Sequence, residues 1–161
     1  MRESIGIYEG LSPDGQVSQS ALQQLQELLN ESAFWAKDRK LDDLATAIAF
    51  SCPVISVWDD LALIGFARAT SDGIYRACIW DVVIHPKYRG IGLGKSLIST
   101  LLEHPRMCHV ERVYLTTTYQ QAFYQKMGFE TNANTTLVRA GQASMSPAPE
   151  QIQNLVSQLK L

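Results

Sequence analysis

Apolar residues recur at helical spacing in several separate stretches of the chain. In the first stretch, Ala21, Leu22, Leu25, Leu28 and Leu29 stand one, three or four positions apart, which predicts an amphipathic helix. Similar spacing recurs three more times, and one of these stretches follows directly on a glycine-rich turn. The helices predicted in this way are 18–30, 41–50, 92–103 and 150–159, and a further short helix is predicted over 119–126, ended by Gly128.

The apolar segments between these helices are shorter and are bounded by turn residues, which is typical of β-strands. The segment 75–84 is nearly all apolar at its centre, which predicts a buried strand. Ser71-Asp72-Gly73, just before it, is a hairpin signal. The predicted strands are 4–8, 54–58, 61–69, 75–84, 110–116, 129–131 and 135–139. This order of elements predicts an α/β fold, with a central mixed sheet of about seven strands flanked by helices.

The length of 161 residues suits one domain with a substantial core. We expect a folded domain over 1–140. Residues 141–161 then form a linker rich in Ser, Pro and Ala, followed by a helix appended to the same domain. That helix could pack on the domain or mediate a homodimer.

Composition and charge exclude several classes of protein. Hydrophobic residues make up 46% of the chain, which indicates a globular protein, and the net charge of −2 comes without a basic block for nucleic acid. No apolar run approaches the ~20 residues of a membrane span, and the N-terminus lacks the apolar core of a signal peptide. Three widely spaced cysteines favour neither a disulfide framework nor a metal site. We therefore expect a cytoplasmic protein without nucleic-acid, membrane or metal partners.

The segment 82–96 carries the strongest chemical signal, because a strand leads there into a glycine-rich turn that opens a helix. Such a turn directs free backbone N–H groups and the positive end of a helix at one point, which favours a phosphate. A P-loop is excluded because Arg89 stands where its first glycine is required. The dinucleotide pattern G-x-G-x-x-G is excluded because Lys95 or Leu97 would occupy its last glycine position.

The remaining pattern, R-x-x-G-x-G at Arg89, Gly92 and Gly94, resembles the pyrophosphate loop of the GNAT acetyltransferases. Downstream, after one helix and one strand, the segment 123–129 (FYQKMGF) resembles the F-Y-x-x-x-G-F element of the same family. The resemblance covers residues 54–139. It implies the GNAT fold with a splayed central pair of strands, and an acetyl-CoA-dependent N-acetyltransferase.

The resemblance also implies which residues bind acetyl-CoA. Backbone amides of the glycine turn would hold the pyrophosphate, with Arg89 adding a cation. Backbone groups of the preceding strand would pair with the pantetheine chain, and one N–H there would polarise the thioester carbonyl. Thr116, Thr117 and Thr118 stand where many family members carry a cofactor-contacting asparagine, and Thr118 is our choice among them. The cofactor residues implied are Val82, Val83, Ile84, Arg89, Gly90, Ile91, Gly92, Leu93, Gly94, Lys95, Ser96 and Thr118.

Two residues are candidates for proton transfer. Tyr124 matches the usual general acid of the family, and a phenol with a pKa near 10 stays protonated at pH 7 and can donate to a leaving thiolate. The alternative is a tyrosine that only packs. Asp81 lies inside an apolar strand, where an unpaired carboxylate is costly. It is either a base or binding residue for the amine, or a salt-bridge partner of Arg68 or Arg76.

The substrate is predicted less directly. No cysteine lies in a motif, so direct transfer to the amine is favoured over an acyl-enzyme. His85 is a base by residue type, but its place beside Pro86 favours a solvated turn residue. Trp35, Tyr75 and Trp80 would suit a flat arylalkylamine, although they would equally suit ordinary packing.

A closer resemblance, carried by the segments 63–72 and 79–83, is to the plastid and cyanobacterial branch of the family. That branch is associated with aralkylamine acetylation of the serotonin type and with protein lysine and N-terminal acetylation. We therefore expect acetylation of a primary amine such as serotonin or tryptamine. The alternatives are a protein lysine or N-terminal acetyltransferase and a non-catalytic acetyl-CoA sensor.

Overall fold

The computed structural model describes residues 4–139 and 141. These residues belong to two compact units, one extending to Leu115 and the other beginning at Thr116. The strands are β1 Ile5–Glu9, β2 Val54–Asp59, β3 Ala62–Ser71, β4 Arg76–Ile84 and β5 Arg112–Tyr114. The helices are α1 Gln19–Ser32, α2 Leu41–Ala49, α3 Leu93–Glu103 and α4 Gln121–Gln125, with 3₁₀ turns at Phe34–Ala36 and Pro86–Tyr88.

The five strands form one sheet in the first unit, in the order β1-β2-β3-β4-β5. The first four strands are antiparallel neighbours, whereas β5 runs parallel to β4 after the chain has crossed over through α3. The predicted mixed α/β sheet is therefore confirmed. Its order follows from short hairpin connections in the first half and one helical crossover in the second.

The number of strands differs from the prediction. Among the described residues five strands form rather than about seven, because 129–131 and 135–139 pair with no other strand. A strand is stabilised by its ladder of hydrogen bonds and by burial of one face. Leu137 is 89% exposed and Val138 is 94% exposed, so in 135–139 neither contribution is present.

Both faces of β2 and β3 are covered, whereas β4, predicted to be buried, buries only Ala77, Ile79 and Val83. Five consecutive residues are buried in β2 and five in β3, as expected for strands between two layers of helices. On one face α1 and α2 pack on Phe66 and Val83 in a continuous core. The buried side of α3 belongs to a separate set of contacts with β2, β3 and β4. That buried side is made up of Leu93, Leu97, Ile98 and Leu101.

The helices begin and end close to their predicted limits. Ser18 caps α1, because its Oγ accepts a hydrogen bond from the Ala21 N–H at 3.1 Å. Throughout residues 4–139 and 141, every helix is too short or too polar to cross a membrane. The predicted helix 150–159 and the linker residues 142–149 lie outside the described residues, so the domain boundary at 140/141 stays a prediction.

Candidate active site

Strand β4 has an open edge over its second half. Its pairing with β5 covers only three positions and ends where Cys78 faces Tyr114. Over the part of the chain that the structure describes, no strand pairs with 79–84 on that side. The splayed strand pair that the resemblance implied is present. An extended chain with amide groups could therefore lie along this edge.

A β-bulge lies within the open stretch of β4. Phe66 faces Val83 and Arg68 faces Trp80, so two residues of β4, Asp81 and Val82, oppose one residue of β3. Asp81 has a positive φ of 54°, which aspartate tolerates better than most residues. A bulge redirects side chains and increases the local twist of a strand. The bulge follows shortly after Cys78, the last residue of β4 that pairs with β5.

Backbone groups beyond the bulge point toward the open edge. The His85 N–H donates to the Ile64 C=O at 2.8 Å, which makes Gly65 and Ile84 a non-hydrogen-bonded pair across β3 and β4. The N–H and C=O of Ile84 consequently point away from β3. The Arg89 Nε donates to this Ile84 C=O at 3.0 Å, which ties the arginine to the end of the strand.

The glycine turn follows directly. Gly90 has a φ of 80° and Gly92 a φ of 90°, a region that favours glycine. A Cβ added at either position would meet no atom within 4 Å, so glycine is required for its conformation and the space beside the backbone is open. The predicted roles of Gly90 and Gly92 as close-approach positions are consistent with this geometry.

Helix α3 begins at this turn without a side-chain cap. Gly92 is its N-cap, and the first intrahelical donation runs from the Ser96 N–H to the Gly92 C=O at 3.1 Å. The N–H groups of Leu93, Gly94 and Lys95 therefore have no acceptor within the helix. Leu93 is buried and anchors the turn, whereas Ile91 is 59% exposed. These donors, with the positive end of the helix, suit an anion such as a phosphate group.

The turn before the glycines is held by side chains. The Tyr88 hydroxyl donates to Asp59 Oδ2 at 2.7 Å, so the 3₁₀ turn is tied to the end of β2. The His85 ring accepts from the Lys87 N–H at 3.2 Å and lies 3.1 Å from Glu31 Oε2 of α1. His85 lies at the start of the 3₁₀ turn, as expected, and 24% of its side chain is exposed, so it is only partly solvated.

Asp81 is engaged by two arginines. Its Oδ2 accepts from Arg39 Nη1 at 2.9 Å and from Arg68 Nε at 2.8 Å, and 6% of the side chain is exposed. Burial alone raises the pKa of Asp81, but the hydrogen bonds and charges of the two arginines outweigh it and hold the pKa below its usual value. A carboxylate in this state is a weak proton acceptor, which favours the salt-bridge alternative.

Only one of these two arginines was anticipated. Arg68 was offered as a partner of Asp81, and so was Arg76, which instead pairs with Glu111 at 3.2 Å. Sequence reasoning missed Arg39. It lies in the charged stretch 37–40 between α1 and α2, and nothing in the local pattern separates it from the neighbouring lysines.

The aromatic candidates lie in two places. Trp80 precedes Asp81, and its Nε1 donates to Thr70 Oγ1 at 2.9 Å. Trp35 is 51% exposed, packs edge-to-face on Phe34 with ring centroids 5.1 Å apart, and lies in the connection that Arg39 ties to Asp81. Tyr75 precedes β4 and lies about 20 Å along the strand from Asp81, given ~3.3 Å per residue.

The second unit holds Tyr124. Its side chain is 9% exposed and packs edge-to-face on Phe123 and Phe129, with centroid distances of 5.0 and 5.8 Å. The turn after α4 is closed at Gly128, whose φ is 88°, and the Phe129 N–H donates to the Tyr124 C=O at 3.1 Å. Burial raises the pKa of Tyr124, so the phenol is fully protonated at neutral pH.

The three threonines before α4 differ in their contacts. Thr117 Oγ1 accepts from the Gln120 N–H at 3.1 Å, as a residue at the start of a helical turn does. Thr118 is exposed, and its C=O accepts from Gln121 Nε2 at 3.1 Å. The hydroxyl of Thr117 thus has a local structural partner. The choice of Thr118 as the asparagine substitute stays a prediction.

Comparison with known proteins agrees with this geometry. Residues 22–129 match the Acetyltransferase (GNAT) family. The chain is 40% identical over 108 residues to "Uncharacterized N-acetyltransferase ycf52" from Pyropia yezoensis, which covers 64% of this chain and 62% of that protein. It is 39% identical over 119 residues to a ycf52-like N-acetyltransferase from Prochlorococcus marinus, which covers 71% of this chain and 65% of that protein.

A third relative is "Histone acetyltransferase TAP1" from Glycine max, 33% identical over 146 residues, with 78% of this chain and 62% of that protein covered. The chain thus spans less than two thirds of the length of each of these relatives. Among solved structures, a GNAT-family protein from Xanthomonas campestris matches with a TM-score of 0.68 at 23% identity, covering 87% of this chain and 98% of that one. At this identity the match shows the fold.

Proposed function

The chain belongs to the GNAT acetyltransferase family, and from that premise we propose that it transfers an acetyl group from acetyl-CoA directly to a primary amine. The acceptor that its side chains suit best is an arylalkylamine such as tryptamine or serotonin. One observation carries the proposal: the open edge of β4 leads straight into a turn of unsatisfied N–H donors at the start of α3. An acyl thioester with a long amide-bearing arm and a diphosphate matches that arrangement.

In this proposal the N–H groups from Gly90 to Lys95 bind the diphosphate, with Arg89 adding charge. The backbone of Val82, Val83 and Ile84 holds the amide-bearing arm, and an N–H of this stretch donates to the thioester carbonyl. Bound acetyl-CoA supplies an acetyl group activated as a thioester. The positive φ at both glycines and the missing side-chain cap at Gly92 support this assignment.

Tyr124 is the proposed general acid. A phenol whose pKa is raised by burial keeps its proton at neutral pH and can donate it to the sulfur that leaves. The rings of Phe123 and Phe129 restrict the orientation of the phenol. For the base, the sequence offered two roles for Asp81, and its contacts with Arg39 and Arg68 favour the ion-pair role.

The acceptor is proposed from the aromatic residues near the bulge. Trp80 beside Asp81, and the connection that carries Trp35, provide flat apolar surface for an aromatic amine. A protein amine is the second candidate, because the relative from Glycine max is named a histone acetyltransferase. A cytosolic location and a homodimer stay predictions from the sequence.

An amine panel tests these proposals. The purified protein is incubated with acetyl-CoA and, separately, with tryptamine, serotonin, spermidine and a lysine peptide, and thiol release is followed. Release with the aromatic monoamines supports the proposal, and release with the peptide alone favours the second candidate. Acetyl-CoA binding without thiol release for any amine would favour a sensor. An acetylated cysteine in the intact mass would refute direct transfer.

A further inference from the structure

Asp81 is oriented by the β-bulge. Ile79 is buried, and strict alternation along β4 would place Asp81 on the same face as Ile79. The extra residue of the bulge breaks this alternation. Trp80 lies directly opposite Arg68, so these two side chains share a face, and Asp81 reaches Arg68 at 2.8 Å. The bulge therefore turns the carboxylate away from the apolar face and toward cationic partners.

The Arg39–Asp81–Arg68 cluster joins three parts of the first unit through one carboxylate oxygen. Arg68 comes from β3, and its Nη1 also donates to Ser51 Oγ at 3.1 Å, just beyond the end of α2. Arg39 comes from the connection 33–40 between α1 and α2. The C=O of Arg39 accepts from Gln26 Nε2 of α1 at 2.8 Å, so its backbone is held as well.

Helix α1 holds part of the connection 33–40, because the Asp38 N–H donates to Asn30 Oδ1 at 2.9 Å in addition to the Gln26 bond to Arg39. Ala33 and Ala36 are buried, whereas Phe34 is 62% exposed. Asp38 has a positive φ of 58°, so the backbone there is in the left-handed region before it reaches Arg39. The buried Asp81 carboxylate adds an anchor on β4, because losing it leaves the partly buried guanidinium groups of Arg68 and Arg39 without their anion.

We propose that Asp81 is a positioning residue for the acceptor: its carboxylate fastens the connection 33–40, with the exposed Phe34–Trp35 pair, beside the open edge of β4. The residues after Asp81 are those that we assign to the amide-bearing arm of acetyl-CoA. The Arg39–Asp81–Arg68 cluster therefore holds the aromatic surface next to the thioester end of that arm. The acceptor role rests on the proposed function. The attachment of the connection 33–40 to β4, which we call the tether, rests only on the contacts of the Arg39–Asp81–Arg68 cluster.

Two variants and a matched control test the role of the Arg39–Asp81–Arg68 cluster. Asp81→Asn keeps a residue that tolerates a positive φ but removes the charge and any basicity. Arg39→Gln removes the link to the connection and leaves Asp81 paired with Arg68. The control, Arg76→Gln, breaks the surface pair of Arg76 with Glu111 at the other end of β4.

Hydrogen exchange gives a readout that does not need turnover. We expect amide exchange of 33–40 to accelerate about tenfold or more in Asp81→Asn and Arg39→Gln and to be unchanged in Arg76→Gln. Unchanged exchange in Arg39→Gln would overturn the tether. Arg39→Gln decides the tether even where Asp81→Asn folds poorly.

Kinetics with tryptamine, or with the best amine of the panel, separates positioning from base catalysis. Positioning predicts that the KM for the amine rises about tenfold in both variants, with kcat within about threefold and the acid limb of the pH–rate profile kept. A base role predicts a kcat loss of about 10² or more in Asp81→Asn alone, with that limb abolished, and would overturn the proposal. If wild type acetylates no amine, the proposed function fails while the exchange result still decides the tether.

Discussion

The two ends of strand β4 each carry an arginine–carboxylate pair, one on the surface and one inside the protein. At the hairpin end Arg76 meets Glu111, and both side chains are more than half exposed. At the bulge end Arg39 and Arg68 meet Asp81, of which 6% is exposed. Water screens the first pair, whereas the second is desolvated and depends on its partners. The comparison teaches that burial decides which of two similar pairs matters.

The largest difference is expected in stability. Asp81→Ala should lower the free energy of unfolding by about 3 kcal/mol, because it leaves the mostly buried Arg68 and the partly exposed Arg39 without their anion. Glu111→Ala removes the carboxylate at the other end and should cost about 0–1 kcal/mol, because that pair is exposed. Urea unfolding followed by circular dichroism measures both. Equal losses in the two variants would contradict the comparison.

The next largest effect is expected on turnover, from Tyr124, which lies outside β4. Tyr124→Phe should lower kcat by about 10²-fold while leaving acetyl-CoA affinity nearly unchanged, since it removes one proton donor and no apolar surface. Steady-state thiol release and isothermal titration with coenzyme A measure the two quantities. Tyr119→Phe, at a largely exposed position in the same unit, is the matched control. Normal turnover in Tyr124→Phe would exclude the phenol as the acid.

Gly73, before β4, and Gly92, at the start of α3, allow the effect of backbone strain to be separated from an effect on coenzyme A binding. Gly92 and Gly73 both have a positive φ, of 90° and 79°, so alanine at either site should cost about 1–2 kcal/mol of stability. Only Gly92→Ala should also weaken coenzyme A binding, by about tenfold, because it disturbs the N–H donors at the start of α3. Titration calorimetry on both variants tests this. Equal affinity in both would remove the glycine turn from the binding site.

The smallest effect is a dependence of stability on pH. Because the pKa of Asp81 is lowered in the folded state, its stabilisation is fully present above the unfolded pKa near 3.9 and is lost as the pH falls through the folded value. Unfolding at stepped pH values below 5 should therefore show a steeper decline in wild type than in Asp81→Asn. Asp72 in the hairpin also has a lowered pKa, from backbone hydrogen bonds, but it is exposed. Asp72→Asn should reduce the loss of stability at low pH less than Asp81→Asn does. The reverse ranking would contradict the role of Asp81 as a buried ion-pair partner.

Much of the fold was predictable from local pattern. The helix prediction at 18–30 agrees with α1 within two residues, and the glycine turn was placed correctly before α3. These features depend on neighbours along the chain: apolar spacing, a cap, and glycines that permit a positive φ. The predictions at 129–131 and 135–139 were wrong, because short apolar segments form strands only where a partner strand accepts their hydrogen bonds.

The candidate site divides in the same way. The turn at Arg89 to Gly94 and the element containing Tyr124 are recognisable because each is a short run of residues at set spacing. The partners of Asp81 were predictable only in part. Arg39 is 42 positions away from Asp81, and the bulge involves no glycine that would have marked it.

By itself the sequence determined the family, the class of fold and the turn that suits a diphosphate, since these depend on residue type and local spacing. Only the tertiary structure decided that pairing with β5 ends at Cys78, that the bulge redirects Asp81, and that Arg39 and Arg68 meet on one oxygen. The physical reason is that register, burial and ion pairing are set between segments remote in sequence. An aspartate in an apolar strand predicts that a cationic partner is present, and only the tertiary structure identifies that partner.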